Sequence, residues 1–247
     1  MPTPFTHLQI ASQLLQDPRV SPEAHALIAA HQPCFLLGGI VADQRLAGMD
    51  RQDTHFYHYT RPMPDNPWRE MFRQYPRLSH PKSDAHHAFL MGYVAHLAAD
   101  EYWSRYMLGP HFASGHWGED ARDRFFVLHL LLIWMDERDE ARLPETTASL
   151  LRQCMPHDWL PFLPDHGICD WRDFLADQLD GDSETLAIFG GRIRTEPRVL
   201  RAMLDDSALM QERLWDNITP QLLTDMESKL YDFSREQMDT YLREFGQ

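Results

Sequence analysis

Apolar residues recur along the chain at the three- and four-residue spacing of amphipathic helices, with breaks rich in proline or glycine between the periodic segments. A first helix is predicted over about Thr6 to Leu15, and a second runs from the capping residue Ser21 to about Ala30. Further helices are predicted over about 83–103, 121–137, 145–153, 171–179, 185–193, 197–215 and 219–245. No segment has the short alternating pattern of an antiparallel sheet, so the predicted class is all-α.

Hydrophobic periodicity does not distinguish helix from strand or loop in parts of the region between residues 31 and 120. The nine apolar residues Cys34–Ala42 end at Asp43 and could form a buried strand or a tightly packed helix. Gly38 and Gly39 within that run indicate close approach to a neighbouring backbone. Residues 44–82 contain five prolines and are predicted to be loop-like, and a second loop is predicted over 109–120.

Two polar residues, His96 and Asp100, lie in the otherwise apolar helix pattern of Phe89–Trp103. Residues four apart share a helix face, with Cβ atoms about 5–6 Å apart, so both side chains could reach one metal ion. A hydrogen-bonded pair that satisfies itself inside the core is the alternative. His129 poses the same choice, because the span 125–135 around it is apolar.

Composition restricts the partners and the compartment. The formal net charge is −14, from 37 acidic and 23 basic residues, which argues against stable nucleic-acid binding but leaves room for a small phosphoester. The N-terminal stretch lacks the pattern of a secretory signal, and no run reaches the roughly 18 apolar residues of a membrane span. Cys34, Cys154 and Cys169 lack metal-binding spacing and are predicted to be buried thiols in a reducing compartment. The cytoplasm is the expected location.

Five residues stand out as candidate metal ligands. They are three histidines and two aspartates, a mixture that zinc accepts: His7, Asp43, His55, His96 and Asp100. Two of them have simpler alternatives of their own: Asp43 could cap the next turn, and His7 could cap its own helix or pack against a neighbour.

Four segments of the chain together resemble the zinc-dependent phospholipase C family. They read Pro-Phe-Thr-His-Leu-Gln-Ile-Ala, then Phe-Leu-Leu-Gly-Gly-Ile-Val-Ala-Asp, then Thr-His-Phe, then Phe-Leu-Met-Gly-Tyr-Val-Ala-His-Leu-Ala-Ala-Asp. That family shares an all-helical fold with single-strand-specific zinc nucleases, and its active members hold three zinc ions. The resemblance covers roughly residues 3–135. It implies a phospholipase C- or nuclease-like helix bundle within a single domain 1–247, with 1–137 as the metal-site half and 138–247 as a helical extension.

The resemblance also implies a distribution of ligands. Asp43, His55, His96 and Asp100 would hold one zinc ion, and Asp100 would bridge to a second zinc ion bound by His7. In the family, the N-terminal amine and carbonyl of a processed chain complete that second site. This chain begins Met-Pro instead. Methionine is readily removed before proline, and the secondary amine of proline could still bind metal.

The third zinc site of the family is incomplete here. It would take a histidine from the loop after the central helix and a histidine–carboxylate pair on the next helix. The loop offers His111 or His116, with the neighbouring Glu119 and Asp120 as possible helpers, and the helix offers His129, but four residues later stands Ile133 rather than a carboxylate. One to three zinc ions are therefore expected.

The expected function is that of a zinc-dependent phosphodiester hydrolase acting on a small phosphoester or a phospholipid headgroup. Zinc-bound water would supply hydroxide for attack on phosphorus, and Asp43 is the candidate to orient or deprotonate it. The aromatic residues expected to wall the pocket are Phe56, Tyr57, Tyr93 and Trp103. The alternative is a non-catalytic protein in which zinc ties helices together. The remaining possibilities are another helical metallohydrolase or no metal at all, and the zinc content per chain is the measurement expected to separate the three hypotheses.

Overall fold

A computed structural model describes residues 1–44, 46–58, 63–181 and 183–246 of the chain. Within these residues the structure has thirteen α-helices and no strand, which confirms the all-α prediction. The helices are α1 (Pro4–Leu14), α2 (Pro22–Ala30), α3 (Gln32–Val41), α4 (Gln52–His55), α5 (Pro67–Gln74), α6 (Asp84–Trp103), α7 (Ala121–Glu140), α8 (Thr147–Gln153), α9 (Asp165–Asp180), α10 (Thr185–Ile193), α11 (Pro197–Asp205), α12 (Ser207–Met210) and α13 (Pro220–Phe245).

The apolar run after Pro33 is a helix, and its glycines explain its packing. A Cβ on Gly38 in α3 would lie 1.9 Å from the carbonyl oxygen of Phe89 in α6. Gly92 in α6 is equally restricted, because its Cβ would lie 2.2 Å from the carbonyl oxygen of Phe35. Only glycine allows the two backbones to approach so closely. Helices α3 and α6 form the most closely packed pair in the centre of the molecule. This close packing fixes the position of one helix relative to the other.

Side-chain caps begin several helices where the sequence predicts them. The hydroxyl groups of Ser21, Ser83 and Thr219 accept backbone N–H groups at the starts of α2, α6 and α13. The carboxylate of Asp120 does the same for α7 by accepting from the backbone N–H of Asp123. These local bonds explain why the predicted starts agree with the structure.

The two predicted loops are only partly loops. Within 44–82 the chain forms α4, α5 and a 3₁₀ turn at Pro76–Ser79; residues 45 and 59–62 of that segment lie outside the described residues. Proline at the first position of α5 starts a helix rather than breaking one, and Trp68 and Phe72 bury its apolar face. After α6 the chain continues as a π-helix over Ser104–Ala113, so that the second loop is shorter than predicted.

Two other helix boundaries differ from the prediction. Helix α9 begins at Asp165, six residues before the predicted start. The predicted helix 197–215 is divided into α11, α12 and a π-helical turn at Gln211–Trp215. The division occurs at Asp206, whose carboxylate caps the N-terminus of α12 by accepting from the backbone N–H groups of Ala208 and Leu209.

Helices from the second half of the chain cover the central pair. Helix α13 packs along α6, while α8 and α9 pack against α3. Among the described residues, no single helix is long and apolar enough to cross a membrane; α2 and α3, bent by 94° at their junction, reach that length and apolarity only when taken together.

Candidate metal centre

Five predicted ligands from four separate parts of the chain converge on one buried point. Helix α1 brings His7, Asp43 lies two residues beyond the end of α3, and the last residue of α4 is His55. His96 and Asp100 both come from α6. All are buried except Asp43, whose side chain is 13 % exposed at the mouth of the cluster.

Nitrogen and oxygen atoms of these side chains face one another at nearly equal distances. His55 Nε2 lies 3.3 Å from Asp100 Oδ2, 3.5 Å from Asp43 Oδ1 and 3.4 Å from His96 Nε2. His7 Nε2 lies 3.4 Å from Asp100 Oδ1. Two sets of possible ligand atoms each lie within 4.8 Å of one another: those of His7, Asp43 and His96, and those of His55, His96 and Asp100.

Hydrogen bonds on the outer side of the rings determine which nitrogen points inward. His96 Nδ1 donates to the backbone carbonyl of Gly39 at 2.8 Å, because a carbonyl can only accept. His55 Nδ1 lies 3.0 Å from the hydroxyl of Thr54. Both Nε2 atoms are thereby directed at the carboxylates. Outer contacts of this kind orient imidazoles in metal sites.

The simpler explanation, a self-satisfied pair in the core, does not fit these distances. His96 Nε2 and Asp100 Oδ2 are 3.8 Å apart, too far for a hydrogen bond. Among the described residues, His7 Nε2 and Asp100 Oδ1 are buried without a hydrogen-bond partner. Buried polar atoms are rarely left in this state, so the pair needs an explanation.

Arg51 lies against the cluster and was not among the predicted site residues. Its Nη2 donates to Asp100 Oδ2 at 2.5 Å, and its Nη1 lies 3.4 Å from Asp43 Oδ1. Its Nε lies 3.4 Å from the hydroxyl of Tyr57. Arg51 precedes His55 by four residues at the start of α4, and this spacing is the one sequence signal that could have indicated it.

The charge states in the cluster suit metal ligands. Burial lowers the pKa of His96 to about 3, so that its imidazole is neutral near pH 7. Burial alone would raise the pKa of Asp100, but Arg51 and the adjacent histidines hold it well below its usual range. Burial also lowers the pKa of the Met1 α-amino group to about 5, against the attraction of Asp100. Neutral nitrogens and ionised carboxylates are the forms that bind metal.

The remaining predicted residues lie elsewhere or only border the site. His129 belongs to neither group of converging ligand atoms; its Nδ1 lies 2.6 Å from the carbonyl oxygen of Phe125, and its role as a ligand stays a prediction. His111 and His116 are likewise outside both groups, and His116 is exposed. No described group of atoms therefore reproduces the third zinc site.

The four predicted pocket aromatics divide into two pairs. Tyr57 contacts Arg51 and packs its ring edge-on to His55, 6.0 Å between centroids. Tyr93 donates its hydroxyl to the backbone carbonyl of Thr54 at 2.7 Å and so supports α4. Phe56 instead packs on Phe162, and Trp103 lines a different cavity of about 80 Å³.

Comparisons of the chain with protein-family models, with curated proteins and with solved structures found no match.

Proposed function

We propose that the protein is a zinc-dependent phosphodiester hydrolase of the phospholipase C type, and that the cluster around Asp100 is its metal centre. The observation that carries the proposal is the pair of buried, unpartnered atoms His7 Nε2 and Asp100 Oδ1, which face each other while His55 Nε2 approaches the other oxygen of Asp100. Asp100 thus has nitrogen atoms on both sides, as a carboxylate that bridges two ions would.

The spacing of the atoms supports the choice of ion. Zinc–ligand bonds of about 2.0–2.1 Å at tetrahedral angles separate neighbouring ligand atoms by roughly 3.3 Å. Four distances in the cluster lie between 3.3 and 3.5 Å. Three imidazoles and two carboxylates form a donor set that zinc accepts, whereas magnesium and calcium favour oxygen ligands.

The less buried residues of the cluster suit a reaction with a phosphoester. Zinc, when bound, lowers the pKa of a coordinated water toward neutrality and offsets charge on phosphoryl oxygens. Asp43, at the mouth, can accept the proton of the attacking water. The guanidinium of Arg51 stands between Asp43 and Tyr57 and can donate to an anionic phosphoryl oxygen. The proposed substrates are small phosphoesters or phospholipid headgroups.

The experiment measures zinc content together with hydrolysis of bis(p-nitrophenyl) phosphate near neutral pH. We expect at least one zinc per chain, turnover that a strong chelator abolishes, and recovery when zinc is added back. Asp43→Asn should lower turnover at least a hundredfold while most of the zinc is retained. Asp205→Asn, an exposed carboxylate far along the chain, is the matched control and should change neither quantity.

A second function, a structural metal centre, is favoured by two observations. Ile133 stands where the family has a carboxylate in the third site, and the Arg51 guanidinium already bonds Asp100 Oδ2. In that case zinc ties α1, α3, α4 and α6 together without turnover. Fully zinc-loaded protein that hydrolyses no phosphoester would support this function over the first, and protein without bound zinc would contradict both.

A further inference from the structure

Two cysteines outside the metal centre are in direct contact. Cys34 lies in the first turn of α3, and Cys154 directly follows α8. Their Sγ atoms are 2.6 Å apart, although the two residues are separated by 120 positions in the sequence. Both residues are buried. Nonbonded heavy atoms attract best at roughly 3.5–4.0 Å, so two sulfur atoms in this position are closer than ordinary packing would bring them.

From this contact we infer that Cys34 and Cys154 form a specific intramolecular disulfide when the protein meets a small-molecule disulfide oxidant. The sequence predicts buried thiols in a reducing compartment, and nothing in their spacing indicates a pair. The pair arises from the tertiary structure, because α8 packs against both α3 and α9.

The surrounding structure holds both sulfur atoms in place. The close packing of α3 on α6 fixes the helix that carries Cys34. On the other side, Arg172 of α9 donates from Nη1 to the backbone carbonyl of Cys154 at 2.6 Å. This bond fixes the chain where it leaves α8. Little movement of either backbone is therefore needed to bring the sulfurs to bonding distance.

The chemistry balances with oxidised glutathione as the oxidant. The Cys34 thiolate attacks one glutathione sulfur, which breaks the glutathione S–S bond, forms a mixed disulfide and releases one glutathione thiolate. The Cys154 sulfur then attacks Cys34 Sγ and displaces the second glutathione. The two thiol protons end on the two glutathione molecules, so the protein loses two electrons and glutathione disulfide gains them. Cys34 is the first nucleophile because it is the less buried of the two, 9 % exposed against 0 % for Cys154, and because a hydrogen bond from the Cys154 thiol lowers its pKa.

The bond would link the metal-site half of the chain to residues 138–247. Helix α3 contains Gly39, whose carbonyl orients His96, and Asp43 follows the end of the helix by two residues. A covalent link at the start of α3 therefore supports the metal centre from outside without contacting it. Because the bond closes a long loop, the oxidised form should unfold at a higher temperature than the reduced form.

The test counts free thiols in the natively folded full chain. The protein is incubated with oxidised glutathione, quenched in acid, then unfolded in urea near neutral pH with an excess of a thiol-alkylating reagent, and its mass is measured by mass spectrometry. We expect one alkylated cysteine out of three, and a non-reduced digest in which the peptides of Cys34 and Cys154 are joined. After reduction all three cysteines should be alkylated.

Single variants identify the partners. Cys169→Ser should leave the joined peptides intact and leave no alkylated cysteine after oxidation. Cys34→Ser and Cys154→Ser should each abolish the joined peptides. Three alkylated cysteines in oxidised wild-type protein, a mixed disulfide that persists, or a link through Cys169 would each overturn the inference. The wild-type measurement decides the matter even where a variant does not fold.

Discussion

Two carboxylates, Asp100 on α6 and Asp136 on α7, are buried to almost the same degree and differ in nearly everything else. Asp100 contacts a guanidinium and imidazoles, and these hold its pKa well below the usual range. Asp136 accepts a hydrogen bond from the hydroxyl of Thr185 at 2.5 Å, and burial raises its pKa to about 6. Each also has one oxygen atom without a hydrogen-bond partner among the described residues.

The comparison shows that burial alone does not identify a functional carboxylate. Burial by itself raises the pKa of a carboxyl group, and only cationic neighbours reverse that effect. Asp100 remains an anion inside the protein because Arg51 balances its charge, and three histidine rings surround it. Around Asp136 no described set of ligand atoms converges. We therefore interpret Asp136 as a link between helices, and Asp100 as a ligand of the proposed metal centre.

The largest combined loss of metal and stability is expected from removing His96, whose imidazole belongs to both groups of converging ligand atoms. His96→Ala removes a ligand and leaves a cavity in a core helix, so bound zinc should fall at least tenfold and the free energy of unfolding by about 2–4 kcal/mol. Metal analysis and urea unfolding measure the two quantities. His80→Ala, an exposed histidine, is the control and should change neither. Full zinc content in His96→Ala would remove the centre from consideration.

The next test applies the same substitution to both carboxylates. Asp100→Asn leaves Arg51 without its closest carboxylate, and removing one partner of a buried ion pair costs about 3–5 kcal/mol. Asp136→Asn removes no ion pair, so it should change the free energy of unfolding by less than about 1 kcal/mol, or increase it, at pH 7. Urea unfolding of the zinc-free proteins gives both values. Equal losses for the two variants would contradict the comparison.

Two features of the molecule could be predicted from the sequence: the helices, which follow from hydrophobic periodicity, and the candidate ligands, which follow from residue type. Helical spacing predicts most of the helices, and the chemistry of imidazoles and carboxylates selects the five residues that the structure brings together. Arg51 was missed because it reaches the cluster only through the short helix α4, and the sequence predicts a loop in that segment. Asp136 was missed because a single acidic residue in a helix does not indicate that it is buried, or that a distant residue such as Thr185 donates a hydrogen bond to it.

The third prediction tests whether Arg51 and a metal ion compete for Asp100. The guanidinium bonds the oxygen atom that His55 Nε2 also approaches, so a bound ion must share or displace that contact. Arg51→Met should destabilise the zinc-free protein, since the neighbouring carboxylates of Asp43 and Asp100 then repel each other, and should strengthen zinc binding roughly tenfold, about 1.4 kcal/mol. Competition with a coloured chelator measures the affinity.

Arg77→Met is the control for this third test. Because Arg77 is exposed, this substitution should change neither the stability of the protein nor its affinity for zinc. Weaker zinc binding in Arg51→Met would mean that the guanidinium supports the metal rather than competing with it.

The last prediction concerns the pH dependence of the Asp136 link. Because the pKa of Asp136 in the folded protein, about 6, is above its ordinary value of 3.8, the folded state holds the proton more tightly than the unfolded state. This contribution to stability is fully present below about pH 4 and is lost as the pH rises through 6. A pKa change of this size corresponds to at most about 2–3 kcal/mol.

Urea unfolding of wild-type protein and Asp136→Asn should therefore show the variant gaining relative stability between pH 4 and pH 7.5. Protonation of His96 and of the other site residues affects both proteins alike and cancels in the difference. A difference that stays constant across this range would mean that Asp136 is ionised in the folded protein, and that its contrast with Asp100 does not hold.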